Sequence, residues 1–586
     1  MWFGILLFLG PLVLSLPQSS RTDPSPRGTT VTNDPSIFTL DPDFLITEIP
    51  QIREWFWTIE AATGAPDGYQ RQMFTVNKMF PGPLIEANEG DTIWVHVTNK
   101  LDIGQTIHWH GMLQNGTQYN DGVPGFSQCP IPPGQTYTYQ FTINNQYGTY
   151  WWHSHYANTL ADGIVGGLIV HSVHDPLKLG QDFDEERIIY LSDWVHEQSQ
   201  VIVADLLSGG YKGSVAPPPV DSVLINGQGR FNCSTVTDGT PCSDLPYPEI
   251  HVPSNKRIRF RIIHTGAHES FRLSIDNHQL LVVEADDCPV YGPTVNEIII
   301  HPAQRYSFIV NTTSGSNGDA FWLRSNVALS CLGSKQPQAG LAVFRYVDDV
   351  ISATTSEPTT EPWRLTRRDD LANATAPCVD MDQLYSLTPR VAEDAPTSVS
   401  QTNVLSSVFG TFSDVNGHAF SGFAMNGITY QNQINYPLLQ QVEEGVPINS
   451  SLVANVAFDG IGGGDLIINN LDGFISHPYH LHGRPFFLVA RGSGTMDAEG
   501  LSNVQVNTNN PLRRDTLLIP GGDWAVLRLL MDDPGVWPLH CHIGWHLAQG
   551  KLAAIVIQPD AIKKIDQPSA WLDLCKGTDQ DAFGPA

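Results

Sequence analysis

Short stretches of alternating apolar and polar residues recur along most of this chain. In Asp91–Thr98, the side chains of Ile93, Val95 and Val97 share one face of an extended strand, because successive strand side chains point to opposite sides. In Arg257–Ile262, apolar residues alternate strictly with arginines, which predicts a strand buried on one face only. The same alternation predicts further strands at residues 305–310 and 524–531. Since turn residues separate these segments, the pattern predicts an all-β sandwich or barrel fold.

The pattern also repeats on a larger scale. The octets Gly148–His155 and Gly535–His542 align without a gap, and each follows a turn and a strand of similar sequence. A middle copy at residues 302–325 keeps the same frame but carries no histidine pair. The chain therefore reads as three copies of one β-domain, with metal ligands in the first and last copies only. Residues 349–398, rich in Thr, Ser, Pro, Asp and Glu, are expected to form an exposed linker.

Composition agrees with many brief strands, since the 586 residues include 51 Gly and 42 Pro and only 16% are charged. The apolar start, residues 2–14, is too short to span a bilayer and is expected to be part of a cleaved secretory signal. Five glycosylation sequons support this route, at Asn115, Asn232, Asn311, Asn373 and Asn449. We expect a secreted, extracellular glycoprotein, either free or in the cell wall.

The net charge of −28 argues against nucleic acid and anionic membranes as partners, and a monomer is expected. Eight cysteines in an oxidising compartment favour disulfides. If Cys541 is a metal ligand, at most six of the other seven can pair. Cys233 and Cys242 suit a small local loop, but the remaining connectivity stays open at this point.

The histidines carry the main chemical signal. Ten of the twenty stand in four short clusters, and the last cluster encloses a cysteine: His108-Trp109-His110, His153-Ser154-His155, His477-Pro478-Tyr479-His480-Leu481-His482, and His540-Cys541-His542 with His546. Imidazole and thiolate together are copper ligands, and two histidines with one cysteine describe a blue electron-transfer copper. Ten histidines exceed what one metal needs, so the sequence indicates several coppers and a redox enzyme.

The spacing within the clusters adds a geometric expectation. Residues i and i+2 of a strand point the same way, so His540 and His542 face one side and the Cys541 thiolate faces the other. A thiolate copper would then stand back-to-back with a second copper site. Ser154 occupies in the first copy the position of Cys541 in the third. Because a serine hydroxyl is not a soft ligand, the first copy should lack a blue copper.

The four clusters, their order and the threefold repeat resemble the multicopper oxidases, specifically the three-domain, ascomycete-type fungal laccase-like enzymes. The resemblance covers roughly residues 65 to 560. It implies three consecutive cupredoxin-like Greek-key β-sandwich domains. The expected boundaries are a signal peptide at 1–18, domains at 19–178, 179–348 and 399–586, and the linker at 349–398.

The resemblance also implies a cofactor set of four coppers per chain. Type 1 copper would be bound by His477, Cys541 and His546, and type 2 copper by His108 and His480. The type 3 pair would be bound by the remaining histidines: His110, His153, His155, His482, His540 and His542. Family members take single electrons from phenols or related aromatic reductants at type 1 copper, and reduce O2 to water at the three-copper cluster.

Three further residues are candidates for two acids that the family has. Asp121 matches an acid near the cluster, where it could supply protons, or it could only stabilise its Asp-Gly turn. The acid of the substrate pocket falls at His268 or Glu269. An aligned register selects His268, and chemistry prefers Glu269 as acceptor of a phenolic proton. Either residue could instead lie in a surface loop.

Other positions carry implications or departures. The resemblance implies disulfides Cys129–Cys575 and Cys331–Cys378, which would leave Cys288 free. At the type 1 axial position the family has Leu, Phe or Met, but this chain has Lys551 followed by Leu552. A buried lysine is costly beside a metal, so either its stem or Leu552 should fill that space. Gly544 stands where some members carry an acid.

Several alternatives stay open. Ascorbate oxidase and ferroxidase activities remain possible within the family, because substrate choice depends on loops. A non-catalytic copper-binding or cell-wall protein could share the scaffold, but it would be expected to lose ligands, and all eleven are present. A metal-free sandwich with coincidental histidines is the least favoured reading.

Overall fold

The structure, a computed structural model, describes residues 38–332, 339–348, 356–363 and 377–585. The predicted signal peptide and the sequon at Asn373 lie outside these residues. Strands dominate the described chain and the helices are short, so the all-β class is confirmed. Within the described ranges, no helix is long and apolar enough to cross a bilayer.

The first sandwich contains eight strands. They are β1 (Ile52–Gly64), β2 (Arg71–Val76), β3 (Ile85–Asn88), β4 (Thr92–Asn99), β5 (Ile107–His110), β6 (Thr136–Thr142), β7 (Gly148–Ser154) and β8 (Val165–His171). They form two four-stranded sheets, with the orders β2-β1-β4-β6 and β3-β8-β7-β5. In β4, the buried side chains include Ile93, Val95 and Val97, as the alternation predicts.

The second sandwich is larger. Its strands are β9 (Glu185–Trp194), β10 (Ser222–Ile225), β11 (Glu249–Val252), β12 (Arg257–His264), β13 (Phe271–Ile275), β14 (Leu280–Ala285), β15 (Cys288–Tyr291), β16 (Thr294–Val295), β17 (Ile298–Ile300), β18 (Arg305–Asn311), β19 (Ala320–Val327), β20 (Ala339–Tyr346) and β21 (Thr388–Pro389). The helices are α1 (Ser199–Leu207), α2 (Leu329–Leu332) and α3 (Met381–Leu384). One sheet has the order β10-β9-β12-β18-β14-β15-β21, with β16 on β14, and the other has the order β11-β20-β19-β13-β17.

The third sandwich carries the last two histidine clusters. Its strands are β22 (Val399–Ser413), β23 (Ala419–Met425), β24 (Ala454–Phe458), β25 (Gly463–Asn470), β26 (His477–Leu481), β27 (Phe486–Ser493), β28 (Arg513–Arg514), β29 (Thr516–Ile519), β30 (Asp523–Leu530), β31 (Gly535–Cys541) and β32 (Leu552–Ile557). The helices are α4 (Leu438–Glu443), α5 (Ala498–Leu501), α6 (Gly544–Ala548), α7 (Pro559–Ile562) and α8 (Ser569–Leu574). The sheet orders are β23-β22-β25-β30-β27-β28 and β24-β32-β31-β26-β29.

All three sandwiches share one strand topology. In one sheet of each, a first strand runs parallel to its neighbour, which pairs antiparallel with a third strand: β1-β4-β6, β9-β12-β18 and β22-β25-β30. The second sheets repeat another arrangement of the same kind: β3-β8-β7, β11-β20-β19 and β24-β32-β31. The threefold repeat predicted from the sequence is therefore present in the fold.

One predicted strand differs from expectation. The alternation in Arg257–Ile262 predicts one exposed face, but Arg259 and Arg261 are both buried. Arg259 pairs with Glu284 at 3.1 Å, and Arg261 donates to Thr149 Oγ1 of the first sandwich at 2.8 Å. The arginine face is buried because the first sandwich covers it, and the acceptors come from both sandwiches, Glu284 from the second and Thr149 from the first.

The connection between the second and third sandwiches is only partly exposed. In its described part, Asp380 and Met381 are fully buried, and Asp380 accepts hydrogen bonds from Gln304 Nε2 at 2.6 Å and Leu518 N at 2.8 Å. This part of the expected linker is therefore not exposed, because Asp380 serves as an acceptor for both neighbouring sandwiches.

Disulfides join the chain at three places. The pairs are Cys129–Cys575, Cys233–Cys242 and Cys331–Cys378, and Cys288 and Cys541 are free and buried. These are the expected pairings. The first of them brings α8 back to the first sandwich, where Trp571 donates to the Ser127 carbonyl at 2.9 Å.

Candidate metal centre

A cysteine and two histidines of the third sandwich converge on one point. Cys541 Sγ lies 3.5 Å from His477 Nδ1 and 3.7 Å from His546 Nδ1, and these two nitrogens are 3.2 Å apart. All three side chains are buried. We call His477, Cys541 and His546 the sulfur site. Their mutual distances suit three ligands that share one small ion.

Local chain geometry explains this convergence. Strand β26 begins at His477 and pairs antiparallel with β31, which ends at Cys541. Helix α6 starts three residues later and turns His546 back toward the sulfur. His477 Nε2 donates to Asp472 Oδ2 at 2.8 Å, so its Nδ1 carries the lone pair that faces Cys541.

The other eight cluster histidines meet between the first and third sandwiches. Strands β5 and β7 pair with His108 opposite His153, and β26 and β31 pair with His480 opposite His540. Because the clusters have i, i+2 spacing, each pair of strands aims its imidazoles at the same space. We call this group the eight-histidine site: His108, His110, His153, His155, His480, His482, His540 and His542.

Within the eight-histidine site, the rings form compact sets. The ring nitrogens of His155, His482 and His540 lie within 4.8 Å of one another, as do those of His108, His480 and His482. A further set is defined by ring centroids, with 5.1 Å from His542 to both His110 and His153, and 5.8 Å between the latter two. The site therefore offers several separate positions for ions.

Hydrogen bonds fix which nitrogen of each ring points inward. Four Nδ1 atoms donate to carbonyl oxygens at 2.7 to 3.0 Å: His108 to Asp121, His153 to Ser154, His480 to Asp515 and His540 to Cys541. Since a carbonyl oxygen only accepts, Nδ1 carries the hydrogen and Nε2 keeps a lone pair. This is the arrangement that metal-ligating histidines adopt.

The inward nitrogens provide a test of whether copper fits. Among the described residues, the buried Nε2 atoms of His108, His153, His480 and His542 and the Nδ1 atom of His110 have no hydrogen-bond partner. Burying unpaired acceptors is costly, and a bound cation removes that cost. Burial and the neighbouring imidazoles also lower the pKa values of His153, His155, His482 and His542, which keeps these rings neutral as ligation requires. The donor set fits copper.

Asp121 lies in direct contact with this site. Its carboxylate accepts from His482 Nδ1 at 2.9 Å and lies 3.2 Å from His108 Nδ1, while its carbonyl also accepts from His108. The residue is buried. Asp121 therefore orients His108 of the first sandwich and His482 of the third. This role is additional to any stabilisation of the Asp-Gly turn.

His268 and Glu269 lie in the loop between β12 and β13. Their backbone N–H groups donate to Asp193 Oδ2 at 2.8 and 2.7 Å, and Gly544 N donates to the carbonyl of neighbouring Ala267 at 2.8 Å. The loop thus packs against the start of α6, which carries His546. Both side chains are buried, so the surface-loop alternative is wrong.

The environment of these two side chains is chemically unusual. His268 Nδ1 and Glu269 Oε2 have no hydrogen-bond partner among the described residues. Burial, together with the Asp193 carboxylate, raises the pKa of Glu269 to about 8. Burial lowers the pKa of His268 to about 4. A carboxyl group of raised basicity therefore lies beside the helix that carries His546.

Sequence reasoning missed Asp515. Its Oδ1 lies 3.1 Å from His110 Nε2, and its two oxygens accept from Arg305 Nη1 and Nη2 at 2.7 and 2.6 Å. Arg305 is 210 positions away from Asp515, in the middle copy, so spacing could not have revealed the pair. The available signal was an arginine at the start of the strand predicted at residues 305–310, which is β18.

Comparison with known proteins agrees with this geometry. Family models described as multicopper oxidase match residues 58–175, 185–349 and 457–561. The chain is 52% identical to Laccase-1 of Cryptococcus neoformans var. grubii, over 99% of this chain and 93% of that protein. The chain belongs to the laccase-like multicopper oxidases. It is an oxidoreductase with copper as its cofactor, and the non-catalytic alternative is not favoured.

Solved structures resemble the oxidase over most of its length. The laccase of Botrytis aclada superposes with a TM-score of 0.79 at 32% identity, covering 90% of this chain and 92% of that one. Fet3p, a multicopper oxidase that functions in iron import, superposes with a TM-score of 0.74 at 26% identity, covering 90% and 94%. The three cupredoxin-like domains of the oxidase are thus shared with both.

Proposed function

We propose that the oxidase binds four copper ions, with type 1 copper in the sulfur site and the other three in the eight-histidine site. Type 2 copper is assigned to His108 and His480. The type 3 pair is assigned to two sets, the first His110, His153 and His542, and the second His155, His482 and His540. The unpartnered inward ring nitrogens are the observation that carries this assignment.

The proposed reaction is the oxidation of small phenolic or related aromatic donors, one electron at a time, with reduction of O2 to water. Copper supplies the one-electron redox chemistry that amino-acid side chains lack. The chain supplies the connection between the sites, since His540 Nδ1 donates to the Cys541 carbonyl at 3.0 Å. One residue thus links the sulfur site to the eight-histidine site.

Protons must move as well as electrons. We assign Glu269, with His268 as the alternative, to accept the proton of the phenolic donor beside His546. The pKa of Glu269, about 8, is closer to the pKa of a phenol, about 10, than the pKa of an ordinary carboxyl group is. Glu269 is therefore a better acceptor for a phenolic proton. Asp121, held between His108 and His482, is assigned to supply protons for O2 reduction.

The remaining assignments concern the whole protein. We propose a secreted, extracellular monomer with domains at 19–178, 179–348 and 399–586. Asn115, Asn232, Asn311 and Asn449, the sequon residues that the structure describes, are all exposed, which supports glycosylation. The disulfides are consistent with an oxidising compartment.

Cys541→Ser tests the electron-entry assignment. The variant is expected to lose the blue absorption and all oxidation of donors while it remains folded and retains the copper of the eight-histidine site. Cys288→Ser is the matched control, because Cys288 is the other free and buried thiol. It should stay blue and active. A blue Cys541→Ser variant would refute the assignment.

A donor panel tests the substrate class. Oxygen uptake is measured with phenols, naphthols, ascorbate and ferrous iron at equal concentrations. We expect turnover with the phenolic donors at least tenfold above that with ascorbate or iron. Higher turnover with ferrous iron or ascorbate would replace the laccase-type assignment by a ferroxidase or an ascorbate oxidase.

A further inference from the structure

Lys551 is a fully buried cation next to the sulfur site. Cys541 N donates to the Lys551 carbonyl at 3.3 Å, and the next pair along the ladder joins His540 to Leu552. Paired residues of antiparallel strands point to the same side. Lys551 therefore shares the side of Cys541, whereas Leu552 shares that of His540 and packs into the core of the first sandwich.

The ammonium group has a defined set of neighbours. Lys551 Nζ lies 2.9 Å from Asp472 Oδ2, 4.5 Å from the ring centroid of Phe423 and 5.6 Å from that of Tyr479. Asp472 Oδ1 accepts a hydrogen bond from Phe409 N at 2.5 Å. Lysine and aspartate thus form a buried ion pair in an otherwise aromatic environment.

This ion pair contacts the metal ligands directly. The Asp472 oxygen that binds Lys551 also accepts from His477 Nε2 at 2.8 Å. Phe423, which lies under the ammonium, has its ring centroid 4.4 Å from that of His546. Lys551 is therefore connected to both histidines of the sulfur site, to His477 by way of the Asp472 carboxylate and to His546 by way of the Phe423 ring.

The two charges act on a bound copper in opposite directions. A carboxylate that accepts from a ligating imidazole strengthens that ligand and favours the oxidised, more highly charged ion. A nearby ammonium disfavours the oxidised ion, and the low dielectric of the interior strengthens both effects. Because a buried ion pair contributes little net stability compared with apolar packing, stability alone does not explain its presence.

We propose that Lys551 and Asp472 form a charge pair that positions His477 and sets the reduction potential of the type 1 copper. Lys551 raises the potential and Asp472 lowers it. The inference rests on the proposed function, because it requires copper at His477, Cys541 and His546. Neither residue is among the ligands assigned above to the copper, and neither is assigned to the donor, so both are treated as positioning residues.

The test is a redox titration of the blue absorption in four proteins: native, Lys551→Leu, Asp472→Asn and the double variant. Leucine removes the charge without adding a thioether that could bind copper. Lys551→Leu should lower the potential and Asp472→Asn should raise it, each by a tenfold change in the electron-exchange equilibrium, which corresponds to about 59 mV for one electron. The double variant should lie between the two single variants, because both charges are then absent.

Several outcomes would overturn the inference. A purely structural role predicts that both single variants shift the potential in the same direction and both broaden the copper hyperfine spectrum. Equal potentials in all four proteins would also refute it. If Lys551→Leu fails to fold, Asp472→Asn and the double variant still differ only in Lys551, and equal potentials for these two are then decisive.

A second buried ion pair of the same domain provides the control. Arg528 Nε lies 2.7 Å from Asp465 Oδ1 in the sheet of β25 and β30, away from the sulfur site. Asp465→Asn and the double variant Asp465→Asn/Arg528→Met should leave the potential unchanged. Failure of the proposed function would be visible separately, as a native protein without copper or blue colour.

Discussion

At the level of single residues, the acceptor opposite each imidazole determines which nitrogen faces the metal. The histidines themselves could be predicted from the sequence, because their i, i+2 spacing is local. Their side-chain acceptors could not, because some of these come from distant parts of the chain and the nearer ones have no distinctive spacing. Asp121 lies 361 positions from His482, from which it accepts a hydrogen bond. Asp472 precedes His477 by only five residues, but nothing in its spacing distinguishes it from a loop aspartate.

Glu269→Gln is expected to flatten the pH dependence of stability between about pH 5 and 8. The native protein keeps the Glu269 proton up to a pKa of about 8, whereas the unfolded chain releases it near about 4.3. Native stability therefore falls as the pH rises through this window, by up to about 1.4 kcal/mol per pH unit. The glutamine variant lacks this titration. The urea midpoint of the native protein should therefore fall relative to that of the variant as the pH rises from 5 to 8.

Glu499→Gln is the control for this comparison, because Glu499 is exposed in α5. Its urea midpoints should run parallel to those of the native protein from pH 5 to 8. A Glu269→Gln variant whose midpoints also run parallel to the native values would show that Glu269 does not hold its proton in the folded state.

At the level of elements, the junction of β31 and α6 depends on a glycine. A Cβ added at Gly544 would lie 1.9 Å from Asn158 Oδ1 and 2.7 Å from Asn158 Cγ. Gly544→Ala is therefore expected to destabilise the oxidase by about 1–3 kcal/mol, the usual effect of overpacking. The loss is measured as a lower denaturant midpoint, together with a changed blue absorption, since α6 carries His546.

Asn158→Gly provides the matched rescue. Asn158 has a φ of 59°, which glycine adopts without strain, and the substitution removes the side chain that meets the added Cβ. The double variant Gly544→Ala/Asn158→Gly should recover most of the midpoint lost in Gly544→Ala. If it were as unstable as Gly544→Ala alone, the contact with Asn158 would not be the cause.

Most strands could be predicted from the sequence, because alternation depends only on neighbouring residues. Strand β4 follows its predicted pattern. Strand β12 forms where predicted, but both of its faces are buried. Whether a second face is covered depends on how the sandwiches pack, and the arginines on that face carry no local sign of their distant acceptors. The sequence also could not show whether Lys551 or Leu552 lies on the same side of the sheet as Cys541. Only the register of the strand ladder shows that it is Lys551.

At the level of the whole molecule, Arg305 of the second sandwich joins the other two. Arg305 Nε donates to the Thr149 carbonyl of the first sandwich at 2.8 Å, and its other nitrogens bind Asp515 of the third. Arg305→Met leaves Asp515 buried without its partner, a change that costs about 3–5 kcal/mol. We expect a lower denaturant midpoint and faster loss of copper from the eight-histidine site than from the sulfur site.

Arg324→Met is the control, because Arg324 pairs with Asp276 at 2.8 Å inside the second sandwich and is partly exposed. It should lower the midpoint less and leave the copper content unchanged. If Arg305→Met and Arg324→Met released copper at the same rate, the role of Arg305 as a bridge between sandwiches would be refuted.

The Cys129–Cys575 bond closes 446 positions of the chain into one loop around the domain junction. The first sandwich consequently cannot swing away from the third once the tail is attached. The bond therefore tethers to each other the two sandwiches that supply the eight histidines. A small cavity lined by His153, His155, His540 and His542 lies at their junction.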